Sequence, residues 1–501
     1  MSSTFGTYSV AYSGMYTNQA ALMTTSTNLA NVDTTGASKV QLTSADASTS
    51  TSDQTSTTST TNSGVTVETI TRSRDIYLDK TYRTENADSS YLAVKSGNLE
   101  YIDTILSEYN TVTTDDDGNT TTTDGLESAI TDFFDAWETL STSSTSESDR
   151  IAVVTAATDL ITMLTEIDAE LQQLQADAVT AVEDGVESLN DLAEQVAELN
   201  AQITLAEASG GEASYLRDQR DALLDEMSSL ANITVTTDSE GTLSVSISGV
   251  TIVDGDEYDT LAVEGTGETD NPLKVVLADS GNEVEITSGS IKAYMEDADQ
   301  TGYETIDESD LPYNFTTDAT SSISTMRQAL NAMITTLAYS VNSLTSSGVD
   351  LDGNAGLDFF TVIDSSEPLS ITNIQVNPEL VSDSDKVVTS ASDEDGDNSI
   401  ADAICDLDST TSYQNEGTSL DIIDFYSAIT TWLGTEGDTM ASDYETQAAL
   451  VTQLDYQRQA VSSISIDEEM SNMIKYQTAY AASARVMNTI DTMIGYLIDA
   501  I

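Results

Sequence analysis

The feature that most constrains this chain is a seven-residue apolar repeat at each of its two ends. Met473, Tyr480, Met487, Ile494 and Ile501 recur every seven residues, and Tyr476, Ile490 and Leu497 lie three positions further on, with Ser483 the one polar member. Such rows form a coiled-coil seam, which another helix has to cover. Ser465 to Glu468 has capping-box spacing, and Asp467, Glu468 and Glu469 place negative charge on the first turn, so a helix is predicted to start near Ile466. A preceding helix, with Met440, Tyr444, Val451, Leu454 and Val461 on one face, is predicted to stop around Ser462 and Ser463. At the other end Tyr8, Met15, Leu22 and Leu29 recur at the same interval, flanked by Phe5 and Tyr12, until Val32-Asp33-Thr34-Thr35-Gly36 supplies turn chemistry. The two seams either cover each other or are covered by neighbouring copies.

Composition narrows what lies between. With 501 residues the chain has room for two to four domains. Its 86 acidic against 16 basic residues give a net charge of -70, which disfavours binding to nucleic acid or to an anionic membrane surface. Such acidity suits a saline or cation-rich medium. There is no histidine, and Cys405 is the one cysteine. Disulfide frameworks, Cys-pair metal sites and His-dependent catalysis are excluded by inventory, so no catalytic residue, cofactor or metal centre is expected. The first residues lack the basic and apolar regions of a secretory signal, and no apolar stretch is long enough to span a membrane.

Read in order, the chain gives an N-terminal helical segment over 1–42 and a Ser/Thr-rich linker with a short β or irregular segment over 43–100. The most polar stretch, 43–64, reads as flexible or irregular. Arg72, Arg74, Lys80, Arg83 and Lys95 cluster just after it and are expected to meet a carboxylate-rich surface, the chain's own or a neighbour's. An α-helical rod follows over 101–231: a stripe of Ile130, Phe133, Phe134, Trp137 and Leu140, then heptad rows from Leu160 to Ile203 that shift near Val182 to Val186. Short alternating runs separated by Gly, Asp and Asn make 232–320 an antiparallel β domain projecting from the rod. Residues 321–347 return to helix, 348–420 read as a β or irregular outer segment, 421–465 as a rod helix and 466–501 as the C-terminal helix. The fold class is therefore mainly α with β insertions, an elongated coiled-coil rod built from both termini. Asp350–Asn354 and Asp393–Asp397 resemble the start of a calcium loop, but neither has glycine at the sixth position nor flanking helices, so neither is an EF-hand.

Several motifs point to one family. Ser465-Ile466-Asp467-Glu468-Glu469-Met470-Ser471-Asn472-Met473-Ile474-Lys475-Tyr476-Gln477, with Ala479-Tyr480, Ala484-Arg485-Val486 and Ile490-Asp491-Thr492-Met493 after it, resembles the C-terminal signature of the flagellar rod, hook and hook-associated axial proteins. Asn28-Leu29-Ala30-Asn31-Val32-Asp33-Thr34-Thr35-Gly36 is similar to the rod and hook family's turn after the first helix. Asp132-Phe133-Phe134, Leu216-Arg217-Asp218-Gln219-Arg220-Asp221-Ala222-Leu223-Leu224, Gly348 to Gly353 and Tyr456-Gln457-Arg458-Gln459 follow in the order the hook-associated members show. One departure is the place near Thr345, where that family usually carries a histidine.

The resemblance implies a structural component of the bacterial flagellum, an adaptor at the hook–filament junction, with no enzymatic activity. It implies an extracellular location reached through the flagellar type III apparatus without a cleaved signal, and terminal helices buried between neighbouring subunits in the inner tube. Tyr8, Met15, Leu22, Leu29, Met473, Tyr476, Tyr480, Met487, Ile490, Ile494, Leu497 and Ile501 are the subunit-packing residues on that reading. Implied partners are further copies in a ring or helical layer, the hook protein, the adjoining hook-associated protein or filament subunits, and an export chaperone. A flagellin-like or distal rod or hook role is the alternative within the same machine. An acidic extracellular adhesin or enzyme on the β region is the alternative outside it.

Overall fold

The computed structural model describes residues 2–499 except 35, 52–58, 109–110, 115–119, 124, 209–210, 239–241, 302–303, 318–319, 393–395 and 416. Its two ends come together as one axial part. Helix α1 (Ser2–Ala30) packs along α11 (Ile466–Asp499), and a hairpin of β1 (Val40–Thr51) and β2 (Ser59–Arg72) lies against α1. The stretch 43–64, expected as a flexible or irregular linker, is a paired antiparallel ladder on both sides of 52–58, which lie outside the described residues: Val40 stands opposite Arg72 through Thr51 opposite Ser59, with irregularities after Thr43 and Asp46. Threonine's branched Cβ favours extended backbone, and ladder hydrogen bonds need no apolar face, so a polar run becomes a strand once a neighbour exists to pair with. Gly64 makes the close approach possible: at φ 113° it sits where an added Cβ would run into Ser13 Oγ, which accepts the Val65 N–H at 3.1 Å.

The remainder forms a helical body. It begins with α2 (Ile76–Glu108), a 33-residue helix whose residues up to 100 fall where a linker and a short β or irregular segment are expected and whose last residues fall in the expected helical rod. Its first buried positions are Asp79, Arg83, Ala87, Ser89 and Lys95, and large apolar residues enter only at Leu99, Ile102, Ile105 and Leu106. No apolar stripe announces its first half, because charge pairs fill that side. Helix α3 (Gly125–Thr142) and α4 (Glu147–Glu207) follow, then α5 (Ser214–Leu230). The 61 residues of α4 span about 90 Å at 1.5 Å per residue. Helices α6 (Ser290–Asp297), α7 (Ser322–Thr345), α8 (Pro378–Ser382), α9 (Ser399–Cys405) and the 41-residue α10 (Ile422–Ser462) complete the order.

Two hydrophobic clusters lie along α4. The larger joins Trp137 and Phe133 of α3, Val153 to Leu171 of α4, Met326 to Val341 of α7 and Phe425 to Leu433 of α10. Residues 348–420, expected as an outer segment, line this core through Phe359, Phe360, Ile371, Val388, Ile400 and Ile404. Alternation there is broken by short turns, and the apolar residues come singly or in pairs, which hid their common direction. The smaller cluster joins Ala178 to Ala197 of α4, Leu224 and Met227 of α5, Ile291 of α6 and the β residues Val245, Ile252 and Val275. Here an antiparallel sheet of Ile233–Thr237, Leu243–Ile247, Val250–Asp254 and Glu257–Tyr258 caps the distal half of the helix. The heptad rows shift because α4 changes partners: at Gly185 it comes against Ile291, whose Cγ1 would be 2.8 Å from an added Cβ.

Between Arg150 and Arg217 the chain has no Lys or Arg. Repulsion along α4 is therefore met mainly by counter-ions, and it weakens as the Debye length falls from ~30 Å at 0.01 M salt to ~8 Å at 0.15 M. The melting temperature of the purified protein should rise with NaCl between 10 mM and 1 M. A flat or falling curve by circular dichroism would show that self-repulsion does not govern stability.

Candidate assembly surface and its joint to the body

The axial helices use their apolar residues on two sides. On α11 the half-buried or buried positions include Met473, Tyr476, Tyr480, Ser483, Met487, Ile490 and Ile494, the row at heptad spacing. Ser483 is the polar exception for a steric reason: α1 crosses there at Gly14, where an added Cβ would be 3.3 Å from Ser483 Oγ. The row is thus covered inside one chain by α1. That corrects the implication that these seams are buried only between neighbouring subunits. The side chain of Leu497 and all of Ile501 lie outside the described residues.

On α1 the row of Tyr8, Met15, Leu22 and Leu29 is less deeply buried than the small residues beside it. Tyr8 is exposed and the other three are half-buried. The buried positions are Ala11, Thr17, Ala21, Thr25 and Asn28. Ala11, Gly14, Ala21, Thr25 and Asn28 keep heptad spacing in small and polar residues, and small residues let two helices and a hairpin pack closely together. A search for large apolar residues passes over them, whereas a search for small residues at a and d spacing finds them. Asn28 is the most specific: its amide donates to the Val40 carbonyl at 2.9 Å, accepts the Val40 N–H at 2.9 Å and donates to buried Glu469 at 3.2 Å. Lys39 closes that corner, 2.8 Å from Glu468 and 3.8 Å from Glu469.

What α1 and α11 leave outward is also apolar. Tyr12, Tyr16 and Met23 share one side of α1, and Met470, Ile474, Val486, Met493 and Tyr496 are exposed on α11. A run of large apolar side chains on a helix pair that has already satisfied its own seam is the signature of a further interface.

The axial part meets the body at a polar joint. The chain crosses between them at Ser73–Asp75 and at Ser463–Ser465. Among the described residues neither hydrophobic cluster includes a member of α1, β1, β2 or α11. Ions hold the joint instead. Arg72 reaches Glu212 at 3.1 Å, Asp218 at 2.7 Å and Asp221 at 2.8 Å. Arg74 reaches Asp79 at 3.0 Å and Asp221 at 3.3 Å. Arg83 reaches Asp225 at 2.7 Å, and Arg458 of α10 spans Asp79 at 2.8 Å and Asp225 at 2.6 Å while stacking 4.1 Å over Tyr82. The Ser38 hydroxyl and backbone N–H both donate to Asp218. Burial works against ionisation of Asp221, but Arg74, Arg72 and Arg83 outweigh it and hold its pKa below the ordinary carboxylate value. The basic cluster of the sequence thus pairs with the chain's own carboxylates; Lys95, further along α2, pairs with Asp297 at 2.8 Å, and Lys80 makes no ion pair among the described residues. An open cavity of about 470 Å³ borders the joint, lined by Val32, Arg74, Tyr82, Asp225 and Arg458 among others.

The acidic turns carry structural hydrogen bonds. Asp350 accepts the N–H groups of Asp352 and Asn354 at 3.0 and 2.7 Å, so its carboxylate is engaged by its own turn. In the second, residues 393–395 lie outside the described residues; Asp397 accepts from Ser390, Ser392 and the Ser399 N–H, which lowers its pKa.

Comparison with known proteins agrees with this architecture. A family model described as the flagellar hook-associated protein FlgK helical domain matches residues 115–360. Two more, the C-terminal region of flagellar basal body rod FlgEFG proteins and the flagella basal body rod protein, match 457–500 and 9–37. The chain is 28% identical to flagellar hook-associated protein 1 of Bacillus subtilis over 529 aligned residues, which cover 100% of this chain and 99% of the relative. It is 24% identical to the same protein of Escherichia coli, with 98% of each chain covered. The solved flagellar hook junction protein FlgK from Burkholderia pseudomallei shares the fold, with a TM-score of 0.60 at 15% identity over 76% of this chain and 100% of that one. With axial models matched at both ends, the helical-domain model across the centre and relatives aligned along the full length, the chain belongs to the family of flagellar hook-associated protein 1 and is a structural component of the flagellum.

Proposed function

We propose that the chain forms the adaptor layer at the hook–filament junction, exported through the flagellar type III apparatus with the help of a chaperone and seated between the hook protein and the next hook-associated protein or filament subunits. Each copy brings its α1–α11 pair preassembled. The outward apolar residues of that pair then pack against neighbouring copies in the inner tube, with Met473, Tyr476, Met487 and Ile490 holding the pair itself together. The observation that carries this reading is the set of exposed Tyr12, Tyr16, Met23, Ile474, Met493 and Tyr496 on helices whose mutual seam is already covered.

Ile474→Asp tests it. Ile474 is 64% exposed, so a carboxylate there stays solvated in the isolated chain and the melting curve should match wild type. In an assembled interface the same carboxylate is buried without a partner, at a cost of several kcal/mol repeated in every copy. In a strain lacking the wild-type gene, the variant should be secreted yet leave hooks bare and flagellin in the medium. Filaments restored to wild-type number would refute the reading.

A further inference from the structure

The distribution of charge on the axial part identifies which surface of a neighbour it meets. In a chain of net charge -70, Ser2–Ala30 contains no charged residue at all, and Met470 to Ile490 contains no acidic one. The stretch from 470 to 490 does contain two cations, Lys475 and Arg485, both exposed. Neither has a carboxylate partner among the described residues; Lys475 leans 5.7 Å from the centre of the Tyr476 ring. Elsewhere the cations are committed: Lys39, Arg72, Arg74, Arg83, Lys95, Arg217, Lys274, Lys292, Arg327, Lys386 and Arg458 all make ion pairs within the chain. Arg150 and Arg220 are buried. Lys80, on α2 of the body, is the other exposed cation without such a pair among the described residues.

We infer that Lys475 and Arg485 form ion pairs with axial carboxylates of a second copy of this chain, fixing how neighbouring α1–α11 pairs seat on one another. The inference rests on the assembly reading above and adds to it the charged contacts and the partner. Two copies each carrying so much negative charge repel wherever acidic surfaces face, so they approach at least cost where one contributes no acid. On that approach the exposed carboxylates of the partner's own axial part, Asp33, Asp46, Glu68, Asp467 and Asp491, become counter-charges for the two cations. The apolar residues around Lys475 and Arg485 exclude water as the surfaces close, which strengthens a charge pair relative to one on an open surface. The pairing also explains why two costly cations stand on a helix whose own chain leaves them unused, and opposite-charge pairing of this kind sets register and orientation more than raw affinity.

Zero-length carbodiimide coupling, which joins a lysine amine only to a carboxylate in contact with it, tests the pairing directly. Isolated hooks carrying the assembled layer, and purified monomer, are treated alike and mapped by mass spectrometry. The expected result is a link from Lys475 to an axial carboxylate of this same protein, present in the assembly and absent from the monomer. In cells, Lys475→Glu with Arg485→Glu should cut filament-bearing hooks about tenfold or more while secretion and the monomer melting curve stay unchanged. The charge-preserving Lys475→Arg with Arg485→Lys should retain attachment. No link at Lys475 in the assembly, a link solely to a different flagellar protein, or normal filaments in the double reversal would overturn the inference. Ile474→Asp separates the two levels of argument. If it strips filaments while the charge reversals do not, assembly through the axial pair stands and the ionic contacts fall; if neither strips them, the assembly reading itself fails.

Discussion

Replacing Trp137 by alanine should cost about 3–5 kcal/mol and lower the melting temperature by roughly 10 °C, the largest stability change expected from one substitution here. Trp137 is fully buried in the main core, 5.5 Å from the tilted Phe359 ring and 6.5 Å edge-on from Phe133, both of which lose a ring contact when it goes. Its cluster draws on α3, α4, α7 and the 348–420 segment, so the cavity left behind is walled by several elements and has little freedom to collapse. Its indole N–H finds no acceptor among the described residues, a standing cost of burial that phenylalanine would remove. Trp137→Phe should therefore keep most of the stability that Trp137→Ala loses. Chemical denaturation of the two variants side by side decides it: equal losses would mean that the indole, not the ring packing, holds the site.

Arg72→Met should release the axial part while leaving the body folded. The substitution removes three ion pairs at once, takes from Glu212 its one ion pair among the described residues, and leaves Asp218 to Arg74 and Asp221 to Arg74 and Arg83. Breaking a buried pair costs on the order of 3–5 kcal/mol, and because Arg74 still serves Asp221, the lower end is expected. Limited proteolysis should then cut near residues 73–75 and 463–465 in the variant and not in wild type, with the main thermal transition unmoved. Acid should do the same to the wild type. The pKa of Asp221 is depressed in the folded state, so its contribution is complete above pH ~4 and is lost as the pH falls through the lowered folded value. Release on raising the pH from neutral would contradict this sign, and a single transition shared by both parts would contradict the separation.

How far the sequence alone reached depends on what each element buries. The long helix α4, the α7 stripe and the start of α11 were legible because each hides large apolar residues at helical spacing, and Ser465 to Glu469 marks where α11 begins. Of the family-like motifs only Ser465 to Gln477 falls in these stretches; the others lie around Asn28, Asp132 to Phe134, Leu216 to Leu224, Gly348 to Gly353 and Tyr456 to Gln459. Illegible were the elements whose buried side is charged or small: α2, where Asp79, Arg83 and Lys95 stand in the positions an apolar stripe would take, and the hairpin, whose polar strands pair along a backbone ladder. The α11 row is readable from its spacing, which does not say what covers it. On α1 the larger residues mask the small ones, Ala11, Gly14, Ala21 and Thr25, at heptad spacing. The outward row of Tyr12, Tyr16 and Met23 was not distinguished from the inward one, because sequence spacing identifies an apolar face without saying whether a second face exists. The ion cluster was half visible: the arginines stood out against an acidic background, whereas Asp218, Asp221 and Asp225 were lost among many other carboxylates.

A joint made of charges and two chain crossings behaves mechanically unlike a packed core. Sliding one packed surface over another opens voids and must climb out of a jigsaw, but a guanidinium ringed by several carboxylates can trade one partner for the next with little change in energy, as Arg72 and Arg74 already do in sharing Asp218 and Asp221. Because the cavity beside it is open to solvent, the tilt between the axial helices and the body becomes a soft coordinate bounded by two stiff ones. Bending strain imposed on such a subunit is absorbed at the gimbal, and neither the helix pair nor the rod has to melt to accommodate it.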